Sequence, residues 1–253
     1  MKKPKVISIA GNKGGIGKTT IAIYLGQALR FLGFKVLVID MDHNNNLTNF
    51  MLIHFDINPE EVEQKNTLKA MKEESSYKDN IFITKTGLDF MPAKKDVKKI
   101  DLEFFDDPGI RDRFSEELHN LEYDFIIIDL HPMINLGMIC AIQASDQILC
   151  PMETGTWSNF GVNDIIDERD KIEKLLRKKI SLSVVISKVT EAKSKELREI
   201  LAKMEKKRNF KVNKSAILRD DVYIVNNSIG EFLNEKRGNA FKQFLDLAKE
   251  VAG

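Results

Sequence analysis

Residues 5–20 read KVISIAGNKGGIGKTT. A short β-branched apolar run breaks on glycine and passes, without a linker, into a helical repeat. That join of strand, glycine-rich turn and helix limits the chain more than any other feature. The backbone N–H groups of such a turn cradle a polyphosphate, a lysine reaches its outer phosphates, and a hydroxyl binds Mg²⁺. The usual form is G-x-x-x-x-G-K-[ST]. Gly17, Lys18 and Thr19 meet its second half, but Asn12 stands where the first glycine belongs. What replaces it is Lys13-Gly14-Gly15-x-Gly17-Lys18-Thr19, with a second lysine at the head of the turn. Gly14, Gly15 and Gly17 allow close backbone approach, and a helix starting near Lys18 aims its first N–H groups at the same anion. Lys18 is expected on phosphate, Thr19 on Mg²⁺ and Thr20 near the α-phosphate.

The rest of the chain alternates strand and helix. KVLVID (35–40), DFIIID (124–129), QILCPME (147–153) and SLSVVIS (181–187) are continuous apolar runs, as buried parallel strands are. NIFIT and GLDFMPA, within 80–93, read as two further short strands. Helical spacing covers 18–31, 105–121, 164–179, 193–207 and the amphipathic tail from residue 240, while 57–80 is polar and helical in part. Strand, crossover helix, strand, repeated, predicts an α/β fold: a mainly parallel twisted sheet with helices on both faces. With 253 residues and no break in composition, one domain spanning 1–253 is expected. No apolar run approaches the roughly twenty residues of a membrane helix. The start is too short in its apolar part for a signal peptide. These features predict a cytoplasmic protein. Cys140 and Cys150 lack metal-ligand spacing and read as ordinary buried thiols.

Ligands of parallel sheets bind at the carboxyl ends of the strands. Two strands end there in acids. The 35–40 run ends at Asp40, with Asp42 two residues on and so on the same side of an extended backbone. The 124–129 run ends at Asp129, the shape of a Walker B strand. Carboxylates beside a Mg²⁺–phosphate site hold metal-bound water and orient an attacking water. Asp40 and Asp129, with Thr19, are therefore the metal candidates, and Asp42 the candidate for positioning water. His43 and His131 fall beside these acids, and histidine is a residue type suited to proton transfer, but both read as loop residues filling turn positions.

KGGIGKTT (13–20), the acid pair in DMD (40–42) and IIIDLHP (126–132) together resemble the deviant-Walker ATPases, and within them the ParA/Soj-type partition ATPases. The likeness extends through GLDFMPA (87–93), ASDQILCPMETGTWSNFGV (144–162) and AILRDDVYIVNNSIGEFL (216–233). The chain looks like the short form of that family, with no separate N-terminal DNA-binding domain. The resemblance implies that Lys13 crosses a dimer interface to phosphates held by the other subunit. Two chains then sandwich two ATP molecules, and a cation supplied in trans makes the homodimer depend on nucleotide. It also implies phosphate contact for Lys18, Mg²⁺ at Thr19 and Asp129, a place in the Mg²⁺ shell for Asp40, hydrolytic water at Asp42, and Arg219 near the adenine. The implied partners are non-specific DNA, bound as the ATP dimer, and a ParB-like centromere-binding protein that stimulates hydrolysis. The implied location is the cytoplasm, on the nucleoid. Three departures stand out. The family's D-P-Q-G-N is here Asp42-His43-Asn44-Asn45-Asn46, its T-P-P is Leu130-His131-Pro132, and its I-P-R is Ile217-Leu218-Arg219.

Charge supports the nucleic-acid reading. Residues 171–214 hold fifteen Lys and Arg against five Asp and Glu, a net +10 in a chain of net +1, leaving the remainder at −9. Such a basic region suits phosphate backbones. Lys188, Lys193 and Lys195 are its candidate DNA contacts, with Arg219 as another. The competing reading is a MinD-like positioning ATPase held at a membrane by its final helix. That helix would need a strongly basic polar face, and residues 241–253 carry two lysines against one Asp and one Glu. A nitrogenase-reductase-like redox protein would need cluster-ligating cysteines. A metabolic P-loop transferase would not need Lys13.

Overall fold

The computed structural model describes residues 3–154, 156–236 and 238–253, with 156–160 described by backbone only. The chain runs β1 (Lys5–Ile9), α1 (Lys18–Phe31), β2 (Val36–Met41), α2 (Asn46–Phe55), α3 (Thr67–Met71) and β3 (Leu88–Met91). It continues through α4 (Ile100–Glu103), α5 (Ile110–His119), β4 (Phe125–Leu130), α6 (Leu136–Ala144), β5 (Gln147–Met152) and α7 (Thr156–Leu176). It closes with β6 (Ser181–Val189), α8 (Glu191–Glu205), β7 (Lys211–Leu218), α9 (Asp221–Ile229) and α10 (Asn239–Ala252). All seven strands are parallel, in the order β3-β2-β4-β1-β5-β6-β7.

The inner strands are largely apolar because both faces of the sheet are covered, and alternation divides their side chains between two cores. Val6, Leu37, Ile39, Ile126 and Ile128 face one, packed by α5, α6, α7 and α8. Ile7, Ile9, Val36, Val38 and Ile127 face the other, packed by α1, α2 and α10. Several helices start at side-chain caps: Asn135 accepts from Met138 N, Thr190 from Lys193 N and Asp220 from Val222 N. By contrast α1 follows Gly17 at φ 91° with no side-chain cap, so its first N–H groups stay turned toward the glycine loop.

Of the two short strands expected within 80–93, only β3 enters the sheet. Phe82 makes one isolated antiparallel bridge to Phe90, because Thr84 and Gly87, at φ +79°, fold the chain back on itself. Five elements escaped the sequence reading, the short α4 and the apolar α6 among them. The Asn-rich stretch after β2 becomes α2, the polar run from residue 211 becomes edge strand β7, and 221–229 becomes α9. At its edge of the sheet β7 buries only part of its side chains, so it lacks the continuous apolar run that marks the inner strands.

The last helix docks on the body of the protein. Phe241, Phe244, Leu247, Ala248 and Val251 are buried on its inner face, against α1 and β7. The apolar stripe that a membrane-surface helix would present is thus used inside the fold. No helix among the described residues is long and apolar enough to cross a membrane. Glu250 ties the helix to β7: it accepts from the backbone N of Lys214 and Ser215, the Ser215 hydroxyl and the Asn213 amide. Partial burial pushes its carboxyl up, and these donors outweigh that and hold it below its ordinary value. A carboxylate depressed in the folded state stabilises above its unfolded pKa, and the contribution is lost as pH falls through the folded one. Glu250→Gln is expected to cost about 1 kcal/mol at pH 7. Urea unfolding at pH 7 and pH 4 checks this: the gap between variant and wild type narrows in acid, and an equal gap at both pH values counts against it.

Candidate active site

Register assembles the site. Asp40 of β2 pairs directly with Asp129 of β4, and Ile9, which ends β1 before the glycine loop, pairs with Asp129 from the other side. Three strand ends distant in sequence therefore meet at one point on the carboxyl edge of the sheet. Lys18 and Thr19 open α1 directly above it. Thr19 Oγ1 donates to Asp129 Oδ2 at 2.7 Å. Asp129 Oδ1 is buried with no hydrogen-bond partner among the described residues. A buried carboxylate oxygen left in this state costs free energy unless a cation or water meets it.

The three acids differ in their surroundings. Asp40 is fully buried and both of its oxygens are taken: Oδ1 by Asp42 N at 2.9 Å, and Oδ2 by Thr48 N at 2.9 Å and Thr48 Oγ1 at 2.7 Å. Burial pushes its carboxyl up to about 6. Its hydrogen bonds make it the brace that sets the backbone of Asp42 and the start of α2, rather than an open ligand. Asp129 is pushed well above its ordinary value, first by burial and then by the Asp40 charge. Lys18 is lowered by burial, against the pull of Asp129 and Asp42, and its Nζ donates to Lys13 O at 3.0 Å. Two crowded carboxylates that resist ionisation, beside one buried cation and one orphaned oxygen, fit a divalent cation at Thr19 and Asp129.

Asp42 is 6% exposed. Its Oδ1 accepts from Asn44 N, Asn44 Nδ2 and the His131 ring, each at 2.9 Å. His43 stacks near His131, with ring centroids 4.1 Å apart. His43 does fill a turn, closed by Asn45 N on Asp42 O, and His131 lies in the loop after β4, but both also face the Asp42 carboxylate, a grouping that residues 43 and 131 could not reveal without the register of β2 and β4.

Gly14 and Gly15 have open space where a side chain would project, the cradle a polyphosphate needs. Lys13, expected from the resemblance to reach another subunit, pairs here with Glu153, just past the end of β5. Thr20 accepts from Asn227 of α9, which also accepts from Tyr24. Lys188 sits at a bulge in β6, and its Nζ donates to Gly15 O at 2.6 Å, so this candidate DNA contact touches the glycine loop. Lys193 and Lys195 are exposed on the first turns of α8, and Arg219 is exposed just past β7. The basic region is not one patch: α8 runs from the carboxyl edge back to the amino edge, and Arg198 and Arg208 are engaged with the Asn213 carbonyl and Asp167. Both cysteines are buried, their thiols pushed up to about 12 by desolvation. A cleft of about 810 Å³ opens at the opposite edge, lined by Lys5, His119, Asp146 and Lys178 among others, but it holds none of the loop or acid residues.

A family model described as AAA domain matches residues 4–182. The sporulation initiation inhibitor protein Soj of Bacillus subtilis is 27% identical over 98% of each chain. The chromosome partitioning protein ParA of Caulobacter vibrioides is 27% identical over 72% of this chain and 68% of its own. In shape, the chain matches a solved complex of Cyanothece McdA with ATP at a TM-score of 0.82, with 23% identity over 99% and 97% of the two chains.

Proposed function

We propose a function on the premise that this chain belongs to the AAA-domain family, as a ParA/MinD-type P-loop protein. It is an ATP hydrolase of a DNA partition system, working as one domain across residues 1–253. The observation that carries the reading is the meeting of Lys18, Thr19 and Asp129 at the switch point of the sheet, with Asp42 one residue past β2.

Bound Mg²⁺–ATP supplies the phosphoryl group to be cleaved and neutralises part of its charge. The residues around it have distinct work. Gly14, Gly15 and Gly17 present backbone N–H groups, Lys18 offsets phosphate charge, and Thr20 lies toward the inner phosphate. Thr19 and Asp129 hold the metal, with Asp40 bracing their neighbourhood from beneath. Asp42 orients the attacking water, its carboxylate fixed by Asn44 and His131. Lys13 releases Glu153 and reaches the phosphates of a second subunit, so that dimer formation reports nucleotide. Arg219 lies near the base. The ATP dimer binds non-specific DNA through basic residues including Lys193 and Lys195, with Lys188 linking that surface to the loop. A ParB-like partner stimulates hydrolysis and releases the DNA, placing the protein on the nucleoid in the cytoplasm. The buried inner face of α10 supports this over the membrane-positioning alternative.

Binding to non-specific duplex DNA, measured with ATP, with ADP and without nucleotide, tests the reading. Binding is expected only with ATP, falling with salt at a log–log slope of about −0.9 for each phosphate neutralised. ATP-dependent dimers without DNA affinity would keep the hydrolase and remove the DNA role. Binding of those dimers to anionic vesicles would restore the membrane alternative.

A further inference from the structure

We propose that Asp42, His43 and His131 form a binding site for a divalent transition metal ion of the Zn²⁺ type, distinct from the Thr19–Asp129 position. One ligand atom from each residue lies within 4.8 Å of the others. Asp42 Oδ1 and His131 Nδ1 are 2.9 Å apart. Two atoms each about 2.0–2.1 Å from one ion stand about 3 Å from each other, so this pair is already at ligand spacing. The His43 ring, at 4.1 Å and 46° to the His131 ring, closes the set with a small side-chain rotation.

The frame is rigid. Met41 and Leu130 are Cα partners in the β2–β4 ladder, so Asp42 and His131 extend side by side from the ends of paired strands. Their side chains are 8% and 16% exposed. Asn44 donates twice to the Asp42 carboxylate and sets its orientation, as outer-sphere donors do around metal ligands. The donor chemistry separates the two positions. Two imidazoles and one carboxylate suit Zn²⁺, Co²⁺ or Ni²⁺, whereas the hydroxyl and carboxylate at Thr19 and Asp129 suit Mg²⁺. Both imidazoles stand where the chain departs from the D-P-Q-G-N and T-P-P patterns of the family it resembles, so the site belongs to this chain and not to the family pattern.

One consequence rests on the function proposed above. Asp42 cannot both ligate this ion and orient water, so an ion here suppresses hydrolysis and leaves the glycine loop free for nucleotide. The ion would act as a brake on turnover.

The nucleotide-free full chain, free of any histidine tag, is titrated with Co²⁺ and read by its visible d–d absorption, then with Zn²⁺ in competition. One ion per chain is expected. His131→Asn and His43→Gln should each weaken binding about tenfold or more, while His119→Gln, outside the cluster, leaves it unchanged. Thermal unfolding of each variant confirms that it is folded. No stoichiometric binding, or wild-type affinity in both cluster variants, overturns the site. Preloading one equivalent of Zn²⁺ should then lower wild-type turnover about tenfold in excess Mg²⁺–ATP and leave His131→Asn at its own zinc-free rate. A zinc-independent wild-type rate overturns the brake but not the site. A chain with no ATPase activity at all overturns the reading above, while the cobalt titration still decides the site.

Discussion

Asp42→Ala is expected to lower ATP turnover by about 10²–10⁴-fold, the range for loss of a group that positions or accepts a proton from attacking water. ATP affinity should stay close to wild type. The asymmetry follows from where the residue sits. Asp42 lies beyond the end of β2, and no hydrogen bond joins its side chain to the glycine loop; its partners are Asn44 and His131. Asp40 carries the backbone anchoring, through Asp42 N and Thr48, and is untouched by the change. The fold and the phosphate cradle should therefore survive. Steady-state turnover beside calorimetric ATP affinity makes the check. Turnover within a few-fold of wild type would remove Asp42 from the chemistry. An equal loss in affinity would make it a binding residue instead. If DNA release follows hydrolysis, the same variant should hold DNA longer.

Lys18→Ala is expected to weaken ATP binding by 2–5 kcal/mol, about 30- to 5,000-fold, the cost of deleting one member of a buried charge pair. Lys18 is 6% exposed and lies against Asp129 and Asp42. Its removal leaves the acids facing polyphosphate without their cation. The repulsion falls on the bound state, so binding suffers more than folding. Equilibrium titration with a fluorescent ATP analogue, alongside thermal melts without nucleotide, separates the two. Binding within threefold of wild type would place the phosphates elsewhere. A collapsed melting temperature would instead make Lys18 chiefly the counter-ion of the acid cluster.

How much of this was legible beforehand depends on where the information lies. The glycine loop, α1 and the five inner strands were readable because each is specified within a dozen residues. Burial on both faces demands an unbroken apolar run, and the phosphate turn demands glycines at fixed offsets. Thr19, Lys18, Asp42 and Asp129 were named from such local signals, and the structure brings all four together. Lys193 and Lys195 were named from charge density alone. That density divides along α8 toward two edges of the sheet, and helical run and sheet topology cannot be read from a count of lysines.

Other features depended on pairs far apart in the chain. Asp40 looked like a metal ligand because an acid at a strand end usually is one; Thr48, eight residues on and inside a helix the Asn-rich stretch concealed, donates twice to Oδ2, the oxygen that Asp42 N leaves. Glu153 held no signal as the partner of Lys13 until β5 was laid beside β1. His131 and Asp42 are 89 residues apart and share a hydrogen bond only because β2 and β4 are neighbours in register. Local chemistry and periodicity are properties of short segments, so the amino-acid order alone determined the phosphate loop, the class of fold and the acids at its edge. Strand order and register arise from the competition of whole segments for the same core. Folding therefore decided which acid is braced, which is left with an open oxygen, and that two histidines close around Asp42.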